Sequence, residues 1–306
     1  MKILIIGGVA AGTKTAAKLK RADRSAEVTV LTKGKDISYA GCGLPYYVGG
    51  LIEERSELIV NTPQKFAALT GVNVVTGVEA VGVDGVLKTV QAKNTETGEV
   101  LSFDYDKLVI ATGASAIRPN IEGAGLNGVF TVRTPDDAIS IRDYVSGRQV
   151  KQAVVVGGGF IGLEMAENLK EQGVSVTVID AAAQILPDIL DPEMAAYVKR
   201  HLAQKGIRVL TNTKAVRIEG EAEVSGIRTD SALLSCGLVV MAVGIRPNTA
   251  FLQDSGVELD KGKIVVDSML RTNVADIFAA GDCTECDDIS SGQKRVLALF
   301  PNAYMQ

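Results

Sequence analysis

Apolar residues along this chain gather into short runs that stop at glycine. The run KILII from Lys2 breaks at Gly7 and Gly8, a stretch with helical amphipathic spacing follows, and EVTVLT then alternates up to Thr32. The same order returns from Gln152: QAVVV meets Gly157, a second amphipathic stretch follows, and SVTVID closes at Asp180. A β-branched run, a glycine turn, a helix of about three turns and a second strand make a βαβ unit in a parallel sheet. Because the unit occurs twice, the pattern predicts two related α/β domains.

A second pair of runs places the boundaries. DKLVIATG and CGLVVMAVG are buried-strand patterns that stop at Gly113 and Gly244, and each continues through an Ile-Arg-Pro-Asn segment. Strands that deliver the chain across a domain boundary would read this way, so residues 1–115 and 246–306 are expected to form one discontinuous domain and 116–245 the other. Val74 to Asp106 predicts a strand and then a meander turning at NTETGE, and Val209 to Leu233 predicts a second meander. Thr134 and Pro135 open a helix over TPDDAISIRDYV as N-cap and first-turn proline.

With 306 residues, two domains of about 150 each match the size prior, and each is large enough for its own core. Hydrophobic residues at 46% and charged residues at 22% are ordinary, whereas 32 glycines exceed the usual share and follow the apolar runs as tight turns do. A net charge of −4 argues against a nucleic-acid partner, which needs a basic stripe to displace counterions. No apolar run approaches the ~18 residues of a membrane span, and the N-terminal one is too short for a signal peptide. A cytoplasmic, non-membrane protein is expected, with its four cysteines as thiols.

The glycine spacing carries the chemistry. Gly157, Gly159 and Gly162 fit G-x-G-x-x-G between a strand and a helix, and Asp180 ends the next strand 21 residues past Gly159. A pyrophosphate needs a helix N-terminus and a backbone free of Cβ, and a carboxylate takes the ribose hydroxyls. The reading is an NADH site; a 2′-phosphate would meet Asp180, and the AAAQ after it offers no arginine. In the first unit Gly7 and Gly12 hold the outer places, but Val9 stands in the middle one and Thr32 replaces the acid. Taken alone, that half reads equally as a nucleotide site or as a degenerate copy.

The far end decides between them. TNVADIFAAGDC places an apolar strand before Gly281 and Asp282. Together with GGVAAG, VIATGA and GGGFIG…ID, this stretch resembles the two-dinucleotide flavoprotein reductases of the pyridine nucleotide-disulfide oxidoreductase family. The resemblance implies two Rossmann-like βαβ dinucleotide-binding domains of glutathione-reductase type, each with a small antiparallel meander. It implies FAD in the first, held by Gly7, Gly8, Val9, Ala10, Ala11, Gly12, Thr32, Lys33, Val78, Ala111, Thr112, Gly113, Gly281 and Asp282, the last on the ribityl chain. It implies NADH, NADPH being possible, in the second, held by Gly157, Gly159, Phe160, Ile161, Gly162, Asp180 and Gly244.

Within that family, ISYAGCGLPYYVGG resembles the single-cysteine branch: coenzyme A disulfide reductases, NADH-dependent persulfide reductases, and NADH oxidases and peroxidases. A dithiol C-x-x-x-x-C would need cysteine at Ile37 or Tyr47, and Gly41 stands where an asparagine is common. The resemblance implies that the Cys42 sulfur faces the flavin ring with NADH on the other side. Glu164 matches a glutamate beside the nicotinamide, and Cys42 attacks the disulfide or persulfide. A helix starting after Cys42 is expected to set the sulfur near its positive end.

The substrate implied is a small thiol or disulfide such as coenzyme A disulfide. The alternatives are an NADH oxidase or peroxidase, and an electron-transfer reductase for a small redox protein. The peroxide branch places a histidine where Ala10 stands, and His201 is expected to be a solvated helix residue. Lys14, Lys18, Lys20, Arg21 and Arg24 could meet coenzyme A phosphates or form a solvated basic face. Cys283 and Cys286 have the spacing of a redox pair or of half a zinc site; no second ligand pair follows, and no metal is expected. Members of the family continue beyond the position of LALFPNAYMQ into a third domain that forms a homodimer; that domain is expected to be missing here.

Overall fold

A computed structural model describes residues 1–288, 292–295 and 298–305, with the backbone alone for 286–288, 293–295 and 300. The chain divides into two compact units, one of residues 1–39, 59–115 and 246–306, the other of 40–58 and 116–245.

In the first unit a five-stranded parallel sheet runs in the order Ile277–Ala279, Lys107–Ile110, Lys2–Ile6, Glu27–Thr32, Asn73–Thr76. Its strands are apolar at successive positions because both faces are covered. Leu4, Ile6, Leu108 and Ile110 point into one core, while Ile3, Ile5, Val28 and Val30 point into another. The helix Ala10–Ala22 buries only small residues, Ala11, Gly12, Thr13 and Ala16. The expected meander is the antiparallel sheet Val78–Asp84, Thr89–Asn94, Val100–Asp104.

The second unit repeats the plan. Its parallel sheet runs Arg208–Leu210, Ser175–Ile179, Gln152–Val156, Leu238–Met241, Val129–Thr131, and its meander is Ala215–Gly220, Val224–Thr229, Leu233–Ser235. The helix Pro135–Arg148 opens as its sequence predicts, with a Thr134/Asp137 capping box and Pro135 in the first turn. In both sheets strand order reverses beside the strand that opens the βαβ motif, Lys2–Ile6 or Gln152–Val156, so the carboxyl end of that strand opens a crevice. The glycine turns stand at those two ends.

One segment departs from the expectation. Its position between strands of the first domain assigns 40–58 to that domain, yet it packs with the second unit. The cause is local: a β-carbon at Gly49 would fall 2.2 Å from Asn168 Oδ1, so the chain there lies directly on the helix Phe160–Glu171. The helix expected after Cys42 is also short, a 3-10 turn Gly41–Gly43 followed by Leu44–Val48.

Core position separates two leucines of the first unit. Leu108 is fully buried, whereas Leu87 is 73% exposed. We expect Leu108→Ala to cost about 2–5 kcal/mol in a urea melt and Leu87→Ala to stay within about 0.5 kcal/mol of wild type; equal losses would contradict this packing.

Candidate functional site

The two glycine turns are built alike, down to contacts the sequence motif does not specify. Gly7 N–H donates to Leu31 O at 2.8 Å, and Gly157 N–H donates to Ile179 O at 2.8 Å. Both first glycines have left-handed φ, +121° and +113°, and a β-carbon would fall 2.0 Å from Ala111 O or 2.2 Å from Ala242 O. The third glycine of each motif lies against the first: a β-carbon at Gly12 would reach Gly7 O at 1.8 Å, and one at Gly162 would reach Gly157 O at 1.9 Å. Gly159, by contrast, has nothing within 4 Å of the place a β-carbon would take. In the first unit its counterpart is Val9, half-buried at the helix N-cap.

Neither turn helix has a side-chain N-cap or an acidic residue in its first turn. Their first N–H groups are therefore left without intrahelical partners, at the positive end of the helix dipole. Ala10 and Ala11 begin the first of these helices, and Gly281, with φ +83°, closes on it so that a β-carbon there would sit 3.1 Å from Ala11 Cβ. Asp282 follows directly. Phe160 and Ile161 begin the second helix and are 50% and 38% exposed, large apolar side chains beside an open glycine.

The second-strand residues differ in role. Asp180 is half-buried, and its two oxygens accept from Gly158 N–H at 2.6 Å and Ala182 N–H at 2.7 Å. Thr32 is buried, with its Cβ 3.1 Å from where a β-carbon at Gly8 would stand. Lys33 pairs with Glu79 at 2.9 Å on the surface. Val78, buried, starts the strand after Gly77, whose N–H reaches Gly34 O at 3.4 Å. Gly244 O accepts from Ile117 N–H at 2.9 Å.

Asn248 was not singled out by sequence and does more than link. Its Nδ2 donates to Thr112 O at 3.0 Å and its N–H to Gly113 O at 2.9 Å, while Thr112 Oγ1 and Ser115 Oγ donate to its backbone and side-chain oxygens, both at 2.7 Å. It clamps the Ala111–Gly113 turn. A second layer of the repeat lies outside the glycine motif. Ile37 packs on Gly8 as Ile185 packs on Gly158, and Ser38 and Leu186, both with φ near +50°, donate N–H to those glycines' carbonyls at 2.9 and 3.0 Å. The spacing is visible in sequence, since Ile37 stands five residues past Thr32 and Ile185 five past Asp180.

The thiols separate sharply. Cys42 is exposed on the Gly41–Gly43 turn, whereas Cys236 and Cys283 are buried. Burial pushes the Cys236 thiol up to about 12. It also raises Cys283, whose sulfur donates to Ala280 O and Ile110 O at 3.3 and 3.6 Å. The side chain of Cys286 lies outside the described residues, so the pairing of Cys283 with Cys286 does too. Among the described residues no group of three or more His, Cys, Asp or Glu could hold a metal ion, and no helix is long and apolar enough to cross a membrane.

On the basic helix, Lys14 Nζ sits 3.8 Å from the Tyr304 ring centroid, and Lys20 Nζ donates to Arg24 O and Ala26 O at 2.8 and 2.9 Å. Those two cations are engaged inside the fold, while Lys18, Arg21 and Arg24 face solvent. His201 is exposed on the helix Pro192–Gln204.

Glu164, one turn into the glycine-turn helix, has its carboxyl raised above the ordinary range, first by burial and then by repulsion from Glu167. A carboxyl raised by folding stabilises fully below its unfolded value and loses that contribution as pH rises through the folded one. We expect Glu164→Gln to melt above wild type near pH 7 and the gap to close as pH falls toward about 4; a gap that widens on acidification would contradict the assignment.

The family model for pyridine nucleotide-disulphide oxidoreductases matches residues 1–306. The chain is 36% identical to an "NADH oxidase" of Methanocaldococcus jannaschii, over 96% of this chain and 65% of that one. It is 35% identical to an "NAD(P)H coenzyme A polysulfide/persulfide reductase" of Pyrococcus horikoshii, over 98% and 66%. The structure of an NAD-dependent persulfide reductase from A. fulgidus superposes with a TM-score of 0.96 at 37% identity, over 100% of this chain and 57% of that one. The chain thus spans just under two thirds of these curated relatives.

Proposed function

We infer the function from one premise: the chain belongs to the pyridine nucleotide-disulphide oxidoreductase family. The whole protein, on this reading, is an FAD-dependent oxidoreductase that uses NAD(P)H to reduce a small disulfide or persulfide, coenzyme A disulfide or a similar compound, through Cys42. The relatives' names support the substrate class. The observation that carries the reading is an exposed cysteine on a glycine-flanked turn, in a chain with two nucleotide turns and with its other described thiols buried.

Both turns fit a dinucleotide. The uncapped helix N-termini at Val9 and Gly159 offer N–H groups and a positive dipole end to a pyrophosphate. At Gly159 a β-carbon would fill the open cradle. We assign FAD to the first turn, with Gly281 and Asp282 beside it, and NADH to the second. An ionised carboxylate has about four lone-pair sites, so Asp180 keeps acceptors for ribose hydroxyls after serving Gly158 and Ala182. The same carboxylate disfavours the 2′-phosphate of NADPH. Phe160 and Ile161 would shield the nucleotide from water, and Glu164 would hold a proton on its carboxyl to higher pH than an exposed glutamate while orienting the nicotinamide.

Bound in these turns, flavin and nicotinamide would supply the two electrons that a single thiol lacks. Cys42 Sγ, as thiolate, attacks one sulfur of R–S–S–R; a Cys42–S–R disulfide forms, the substrate S–S bond breaks, and RS⁻ leaves to take a proton from solvent. Two electrons and a proton then release RSH and restore the thiolate. Cys236 and Cys283 remain protonated in the core and do not compete.

A second reading, NADH oxidase, is favoured by the name of the Methanocaldococcus relative. The two part in one assay. Cys42→Ser in the full-length protein should lower disulfide-dependent NADH oxidation on the order of 10³-fold or more. Disulfide turnover retained in that variant contradicts the thiol mechanism. Rapid oxygen uptake by wild type with NADH and no disulfide supports the oxidase.

A further inference from the structure

We propose that Arg142 is a positioning residue for Cys42, an inference that rests on the reading of Cys42 as the reactive thiol. The cysteine turn has little structure of its own: a 3-10 turn, a five-residue helix, a loop and a second 3-10 turn, Arg55–Leu58, carry residues 41–58. Beside its own bonds, among them Ala40 N–H to Leu58 O at 2.8 Å, it is gripped by two helices of the second unit. On one side, Gly49 lies on Asn168, which is buried, and Gln172 Nε2 donates to Gly49 O. On the other, Arg142 of the helix Pro135–Arg148 donates from Nη1 to Glu53 O at 2.9 Å and to Ile52 O at 3.3 Å. Its guanidinium carbon also stands 4.6 Å from the centroid of the Tyr47 ring.

The grip leads to the sulfur through two packed residues. Arg142 holds the carbonyl of Ile52, and the Cδ1 of Ile52 lies 3.1 Å from where a β-carbon of Gly43 would be; Leu58 Cδ2 lies 3.2 Å from the same point. Gly43 follows Cys42 directly, and its N–H closes the turn on Ala40 O at 2.9 Å. The space above Gly43 is filled, so a shift of Ile52 moves the turn that aims Sγ. A planar guanidinium can serve two carbonyls and a ring face at once, whereas a lysine is a point charge that keeps the ring contact and only part of the rest. Placement errors of about 1 Å cost on the order of 10²-fold in reactions that depend on aim, so the effect belongs in the thiol's chemistry rather than in nucleotide binding.

The test uses the full chain, with Arg142→Ala, Arg142→Lys and, as a control on the same helix, Arg148→Ala. The first readout needs no turnover: the rate of Cys42 alkylation by iodoacetamide at fixed pH, followed by mass spectrometry of its peptide. We expect Arg142→Ala to change that rate by about fivefold or more, Arg142→Lys to lie between it and wild type, and Arg148→Ala to match wild type. The second readout is kinetic: in Arg142→Ala, kcat for the disulfide should fall about tenfold or more with KM for NADH unchanged.

Alkylation rates equal to wild type in both Arg142 variants would overturn the inference. So would a raised KM for NADH with kcat intact. If wild type itself shows no thiol-dependent turnover while the alkylation rates shift as expected, the proposed function fails and the positioning role stands.

Discussion

In both units a contact that leaves no room for a methyl group decides the rest. The third glycine of each turn meets the carbonyl of the first so closely that a β-carbon would lie within 2 Å of that oxygen. This lets the helix start directly over the end of the strand, with its first N–H groups pointing into the crevice where strand order reverses. The small buried residues of Ala10–Ala22 extend the same close approach along the helix. Without it the N-termini would stand off the sheet edge, and neither turn could present amides to an anion.

Much of this was legible because the determinants are local. Gly157, Gly159, Gly162 and Asp180 announce a strand, a turn, a helix and a second strand within one short stretch, and the duplicate from Lys2 announces the second copy. The boundaries expected near 115 and 245 rest on strands that stop at glycine and continue through Ile-Arg-Pro-Asn. What was not legible depends on partners distant in sequence. Residues 40–58 join the second unit because Arg142, Asn168 and Gln172 hold them, and nothing within the segment names those partners. Asn248 likewise looked like part of a linker until its hydrogen bonds to Thr112 and Gly113 were in view. The Ile37 and Ile185 pair lies between: its equal spacing is visible in sequence, but its meaning is a packing contact on Gly8 and Gly158.

The thiols show why residue type alone is a poor guide to chemistry. Cys236 and Cys283 sit in low-dielectric surroundings that keep them protonated, and Cys283 spends its proton on two backbone carbonyls. Cys42 instead stands exposed on a turn between two glycines. A thiol so placed can attack a substrate, but it cannot by itself reduce what it has captured. The account therefore depends on the first glycine turn, with Val9 and Thr32 in place of glycine and acid, holding a redox nucleotide all the same.

That dependence can be measured without any assay of activity. Denaturing the purified, folded full-length protein and identifying the nucleotide it releases should yield one FAD per chain. A protein that folds cooperatively yet releases none, and binds none when FAD is added, would contradict the account at its centre.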